Sequence, residues 1–210
     1  AGPVYVGAIV CLLFVFGLCI VKGPYKWGLL IATLFSILLS WGHNFEWLSK
    51  LFFNYFPLYS KFRAVSSILV VAQIAMPLLG FLALREIFEK RVDFRQLKRA
   101  LLVALGITGG LSLFFALFGG LIFNFTSSGD AYMAAQFPDW FMEALIDQRA
   151  AMFRSDSFRS LVFILLAALL ILLFAKQKIK PALFTLLLGV LIVADMWPIN
   201  RRYFNDSHFV

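Results

Sequence analysis

Charged residues are scarce in this chain: Asp, Glu, Lys and Arg together make up only 14% of its 210 residues. Cysteine and histidine occur twice each, and the sequence contains no Walker loop, dinucleotide fingerprint or nucleophile elbow. Cys11 and Cys19 lie eight residues apart in one apolar run, too far along a single helix to bridge each other. The pattern therefore indicates neither a disulfide scaffold nor a zinc site, and it carries no common catalytic motif.

Apolar residues are abundant instead, at 62% of the chain, and the mean hydropathy is +0.89. A soluble domain of this size could not bury that much apolar surface. Runs of about 17–25 apolar residues suit helices that cross a bilayer core. The sequence predicts an all-α, polytopic transmembrane helical bundle of about six spans, at residues 5–21, 27–41, 64–84, 101–123, 160–175 and 181–197.

Basic residues predict the orientation of these spans. Eleven of the 19 Lys and Arg residues fall in the three short connections after the first, third and fifth spans. Because short cytoplasmic loops carry excess Lys and Arg, we place these connections in the cytoplasm and both chain ends outside it. Residues 1–198 then form one transmembrane domain, and residues 199–210 begin an extracytoplasmic region. The net charge of +8 fits anionic lipid rather than nucleic acid, since no aromatic–basic nucleic-acid module is present.

The two long outer loops each contain an amphipathic stretch, at residues 45–56 and 139–153, predicted to be interfacial helices. In the second stretch Asp139, Glu143 and Asp147 recur at a spacing of four, which places them on one helix face. They could form a solvated face. Alternatively, they could bind a divalent cation, because carboxylate oxygens suit Mg²⁺ or Ca²⁺.

Basic side chains also lie at the outer edges of the third and fifth spans. Lys61 and Arg63 precede the third span, and Arg154 and Arg159 precede or begin the fifth. They could serve as interfacial anchors, with Asp156 or Ser157 capping the fifth span. The alternative is a site for a lipid phosphate or its sugar, because Arg offers paired donors that match phosphate.

Other residues in the spans predict packing and bending. Gln73 could hydrogen-bond across helices or, alternatively, contact a substrate, and Pro77 could kink the third span. Asp195, near the outer end of the last span, needs a partner, for which Arg201 or Arg202 could serve through a turn at Pro198. Small residues at a spacing of four favour close helix packing in the fourth span, in two series: Gly106 and Gly110, and Thr108, Ser112, Ala116 and Gly120.

Three stretches resemble the YfhO family of bacterial integral membrane proteins: FPLYSKFRAVSSILV (56–70), IDQRAAMFRSDSFRSLVFILL (146–166) and ADMWPINRRYFNDSHFV (194–210). The resemblance spans nearly the whole chain. It implies an architecture similar to that of GT-C glycosyltransferases, which transfer sugar from a polyprenyl-phosphate-linked donor outside the cytoplasm. It further implies a bacterial inner membrane, a role in cell-envelope glycan modification, and a chain that is the later part of a longer membrane domain.

The resemblance does not assign a catalytic residue to this chain. The acidic catalytic residue of GT-C enzymes usually follows the first span of the whole protein, which implies that it lies outside this sequence. Two alternatives to an enzyme stay open: a transporter or flippase of lipid-linked sugars, and a non-catalytic membrane scaffold. Transporters generally carry polar or broken helices near the midplane, and here Gln73 is the clearest polar residue in mid-span.

Overall fold

The computed structural model describes residues 5–41, 65–127 and 129–203. All regular secondary structure in these ranges is helical, as the sequence predicts. The α-helices are α1 (Ala8–Ile20), α2 (Tyr25–Ser40), α3 (Val70–Phe88), α4 (Phe94–Ile122), α5 (Asp130–Ala134), α6 (Asp139–Ala175) and α7 (Pro181–Tyr203), and a 3₁₀ helix at Val65–Leu69 leads into α3. The interfacial helix predicted at residues 45–56 lies outside the described residues.

Four helical segments are long and apolar enough to cross a bilayer: Ser67–Phe88, Phe94–Ile122, Asp139–Ala175 and Pro181–Arg202. The chain is therefore a membrane-embedded helical protein. The helices of the first two predicted spans are shorter, at 13 and 16 residues. At 1.5 Å per residue, α1 is about 20 Å long, which is less than the roughly 30 Å hydrocarbon core.

Helix α6 differs from the prediction. The sequence suggested an interfacial helix at 139–153 and a separate span capped by Asp156 or Ser157, but one helix runs unbroken for 37 residues. The prediction was wrong because Ser157 donates to the Phe153 carbonyl, four residues back, at 2.8 Å inside the helix rather than capping a new one. Helix α7 likewise continues through Pro198 to Tyr203, where a turn was predicted.

The short helix α1 lies at the centre of the bundle. Nine of its 13 residues are buried, including Phe16 and Leu12. It contacts α3 and α4 extensively and also touches α6 and α7. Its composition permits this position, because a helix that is apolar on every side has no polar face that must reach water.

Two glycines allow α1 and α3 to approach closely. A Cβ atom on Gly17 of α1 would lie 2.8 Å from the Leu79 carbonyl oxygen, and one on Gly80 of α3 would lie 3.0 Å from the Leu13 Cβ atom. The contact is reciprocal. Gly17 faces Leu79, the residue before Gly80, and Gly80 faces Leu13, one helical turn before Gly17. Small residues allow this spacing because the two backbones can touch. No sequence pattern marks these two glycines, since each stands alone rather than in a series of small residues at a spacing of four.

Helices α4 and α6 form the most extensive pair. Thr108 is buried in α4, and Gly119 and Gly120 lie directly against Phe153 and Arg154 of α6. By contrast, a Cβ atom on Gly106 or Gly110 would meet no atom of the described residues within 4 Å. The structure therefore places the series containing Thr108 and Gly120 at the helix interface and the Gly106 pair away from it. Gln73 and Pro77 lie in α3, where the Gln73 side chain is exposed.

The three predicted cytoplasmic connections lie at one end of the bundle, which we call the basic end. Phe88 of α3 packs against Phe174 of α6 and Phe184 of α7, with ring centroids 5.1 and 5.7 Å apart. Cys19, near the end of α1, shares a surface recess with Asp93 and Arg95 at the start of α4. At the opposite end, which we call the Asp195 end, the start of α1 meets the last turns of α7. Which end faces the cytoplasm stays a prediction.

Candidate functional site

A polar cluster formed by Tyr5, Asp156, Arg159, Asp195 and Arg202 lies at the Asp195 end. Asp195 is fully buried. Its Oδ2 atom accepts a hydrogen bond from the Ala8 N–H at 2.7 Å, and its Oδ1 atom accepts one from the Tyr5 hydroxyl at 2.9 Å. The carboxylate therefore caps α1 from a different helix, where the N–H groups and the positive end of the helix dipole favour a negative charge.

Gly7 contributes the geometry of this cap. Its φ is +99°, and a Cβ atom at this position would lie 3.4 Å from Asp195 Oδ2. Glycine adopts this backbone conformation without steric cost, so the chain can enter α1 with the Ala8 N–H directed at the carboxylate. The sequence suggested Arg201 or Arg202 as the partner of Asp195, and this prediction was wrong. The carboxylate bonds to the start of α1, which the fold brings to it, rather than to an arginine of its own helix.

Arg202 instead binds Asp156 of α6. Its two terminal nitrogens donate to the two carboxylate oxygens of Asp156 at 2.6 and 3.0 Å, a bidentate pair that joins α6 to α7. At the rise of an α-helix, the stretch of α6 from Arg159 to its end at Ala175 is about 24 Å long, and the stretch from Asp156 is about 29 Å long. Since the hydrocarbon core is about 30 Å thick, this pair lies at the membrane edge opposite the basic end.

Arg159 is the unusual member of the cluster. All three of its guanidinium nitrogens are buried, and none has a hydrogen-bond partner in the part of the chain that the structure describes. The nearest carboxylate oxygen, Asp156 Oδ1, lies 3.9 Å from Arg159 Nη1 and already accepts from Arg202. A buried guanidinium offers five N–H donors, and leaving them unmet is costly. The site can therefore accept an oxyanion.

A second ion pair joins Asp130 to Arg149 and closes the loop between α4 and α5; we call it the loop clip. Asp130 accepts two hydrogen bonds from Arg149 at 2.6 and 2.9 Å and a third from the Ser127 N–H at 2.7 Å. Arg149 also donates to the Phe125 carbonyl at 3.0 Å. Sequence reasoning missed Asp130, because its partner lies nineteen residues away and no spacing rule connects them. Arg154, one of the predicted phosphate ligands, is exposed beside Gly120 and outside this clip.

The loop clip should weaken in acid. The hydrogen bonds from Arg149 and then from Ser127 hold the pKa of the Asp130 carboxyl below its ordinary value of 3.8. A carboxyl with a lowered folded-state pKa adds stability above its unfolded pKa and loses it as pH falls through the folded value. We expect amide exchange in residues 123–127 to quicken relative to exchange in α4 as the pH falls from about 5 to about 2, the range in which Asp carboxyls titrate. In Asp130→Asn the exchange, corrected for its intrinsic pH dependence, should be fast throughout; a wild-type profile in this variant would contradict the assignment.

The three carboxylates at the start of α6, Asp139, Glu143 and Asp147, are all exposed along the helix. Among residues 5–41, 65–127 and 129–203, no group of three or more His, Cys, Asp or Glu side chains is arranged to hold a metal ion. The divalent cation stays a prediction without structural support. Lys61 and Arg63, the other predicted phosphate ligands, lie outside the described residues.

The chain matches no family model, no curated protein and no solved structure. Membership of the YfhO family stays a prediction that rests on the three stretches of sequence quoted above. The class that the structure itself defines is a helical membrane protein with a polar cluster at one end.

Proposed function

We propose that this chain is the membrane portion of a glycosyltransferase that binds a polyprenyl-phosphate-linked sugar at the Asp195 end. One observation carries the proposal: the Arg159 guanidinium is buried at the membrane edge and none of its nitrogens has a hydrogen-bond partner among the described residues. A phosphate diester is an oxyanion that a guanidinium binds through paired N–H donors. Its lipid tail would lie against the apolar helices, and its sugar would extend toward the loops outside the membrane.

The other residues of the cluster support binding rather than catalysis. Asp156 is already engaged by Arg202, which keeps this carboxylate from neutralising Arg159 at hydrogen-bond distance. Both oxygens of Asp195 accept hydrogen bonds, so Asp195 is not poised to take a proton from an acceptor hydroxyl. The catalytic base would be supplied by another part of the protein, as the resemblance to GT-C enzymes implies. Envelope glycan modification at the outer face of a bacterial inner membrane is part of the same proposal.

The test is donor binding by the intact protein in detergent or nanodiscs, with polyprenyl-phosphate-linked sugars as probes. Arg159→Gln removes one charged contact, and hydrogen bonds to charged groups are worth about 1.5–3 kcal/mol. We expect affinity to fall at least about tenfold. The matched control is Arg201→Gln, which removes the same charge from an exposed position on α7 at the same end of the bundle.

Three outcomes separate the candidates. Weaker binding and slower sugar transfer in Arg159→Gln, with Arg201→Gln unchanged, supports the glycosyltransferase. Weaker binding with lipid-linked sugar crossing the bilayer but no transfer product would favour a flippase. Equal affinity of Arg159→Gln and wild type would show that Arg159 does not hold the phosphate, and the proposal would be abandoned.

A further inference from the structure

A recess of about 650 Å³ lies at the basic end, between the connection from α3 to α4 and the connection from α6 to α7. Its volume falls within the roughly 300–1,000 Å³ of ordinary ligand sites. Its rim carries Lys90, Lys178 and Lys180, and its floor includes Phe88 and Phe174. We call this site the basic recess, and it lies at the end opposite the polar cluster around Arg159.

The backbone brings the three lysines together. Helices α3 and α6 end in the same way: Lys90 and Gln177 have φ of 53° and 61°, and the next N–H donates back to the carbonyl five residues earlier. These bonds run from Arg91 to Glu86 and from Lys178 to Leu173, both at 3.0 Å. The caps satisfy carbonyls that would otherwise repel an anion at a helix C-terminus. Lys180 and Pro181 add the start of the 23-residue helix α7, whose free N–H groups favour an anion.

The nearby carboxylates are already occupied. Glu89 pairs with Arg85 at 2.8 Å and also with Arg91, and Glu86 lies 3.5 Å from Arg91. Asp93 caps α4 by accepting from the Arg95 N–H at 3.3 Å. Within the described ranges none of the three recess lysines forms an ion pair or a side-chain hydrogen bond. Three positive charges therefore face one recess without a counter-ion from the described protein.

We propose that the basic recess binds the phosphate headgroup of an anionic phospholipid from the surrounding bilayer. The lysines and the start of α7 suit the phosphate, and the rings of Phe88 and Phe174, with centroids 5.1 Å apart, offer an apolar surface beside it. A free phosphate would use the charges and leave this apolar floor in water. A phospholipid would occupy both the charged and the apolar part of the recess, because one glycerol joins its phosphate to its acyl chains. The recess also lies at the ends of α3 and α6 and the start of α7, which is where helices long enough to span a bilayer reach the lipid headgroups.

The experiment measures lipid retention by the purified intact protein with native mass spectrometry. The probes are dioleoyl phosphatidylglycerol, dioleoyl phosphatidylcholine and inorganic phosphate. The test variant combines Lys90→Gln, Lys178→Gln and Lys180→Gln. The control combines Lys22→Gln, Lys98→Gln and Lys176→Gln, which removes the same charge from exposed positions at the same end but outside the recess lining.

The wild type should retain phosphatidylglycerol at least about tenfold better than phosphatidylcholine, the test variant should lose this preference, and the control should keep most of it. Equal losses in both triple variants would mean diffuse attraction to the surface and would overturn the proposal. Displacement of the lipid by millimolar inorganic phosphate would show a phosphate site and overturn the assignment to a lipid.

Lysine acylation of the wild type provides a second readout that does not depend on the folding of a variant. Phosphatidylglycerol should protect Lys90, Lys178 and Lys180 from the reagent more than it protects Lys98, which is exposed on α4. Uniform protection of all four lysines would count against a lipid bound in the recess.

Discussion

Replacing Asp195 by alanine is expected to lower the free energy of unfolding by about 2–4 kcal/mol. The substitution removes the acceptor of two hydrogen bonds in a position with no solvent exposure, leaving the Ala8 N–H and the Tyr5 hydroxyl without their carboxylate. Buried donors that lose their partner cost the full desolvation of each group. The loss also uncaps the central helix of the bundle. Reversible unfolding of the purified protein in mixed detergent micelles measures the change.

Two further variants make this test specific. Tyr5→Phe removes one donor and should cost about 1 kcal/mol, well below the alanine substitution. Asp147→Ala removes an exposed carboxylate from α6 and should stay within about 0.5 kcal/mol of wild type. If Asp195→Ala proved as stable as Asp147→Ala, Asp195 would not be the cap of α1, and the contact between α1 and α7 would need another explanation.

Replacing Gly17 by leucine is expected to cost about 3 kcal/mol or more, the upper range for overpacked interiors. The new Cβ atom would lie 2.8 Å from the Leu79 carbonyl oxygen, which is backbone and cannot rotate away. Helices α1 and α3 must therefore separate along their contact. Gly80→Leu should act similarly from the other side, because its Cβ atom would lie 3.0 Å from the Leu13 Cβ atom.

The matched control is Gly106→Leu in α4, where the new Cβ atom would meet no described atom within 4 Å. This variant should be as stable as wild type or gain up to about 1 kcal/mol, since leucine favours a helix more than glycine does. Thermal unfolding in detergent, read by circular dichroism, ranks the three variants. A loss in Gly106→Leu as large as that in Gly17→Leu would point to a general effect of bulk rather than to the contact between α1 and α3.

Much of the helical architecture could be predicted because hydropathy is a local property. The described helices α1 and α2 occupy the first two apolar runs, and the four long segments follow the other four. Boundaries were less predictable: α6 includes a charged stretch that looked separate, because backbone hydrogen bonds carry a helix through polar residues once it leaves the hydrocarbon.

The candidate site was predictable only residue by residue. Arg159 could be chosen from its place near the end of a predicted span, but its burial without a hydrogen-bond partner depends on how the helices pack around it. Arg154 has the same chemistry five residues earlier on α6 and is exposed. No spacing rule distinguishes them, since the difference lies in which face of α6 the rest of the protein covers.

The sequence by itself determined that this chain is helical and membrane-embedded. Each apolar run favours hydrocarbon over water, and its backbone amides can be satisfied there by hydrogen bonds within the same helix. Tertiary structure alone decided that Asp195 caps α1, that Asp156 binds Arg202, and that Gly17 rather than Gly106 needs to be small. Those contacts join residues as many as 187 positions apart. Side-chain chemistry allows each of these residues many partners, and only the packing of the helices selects one.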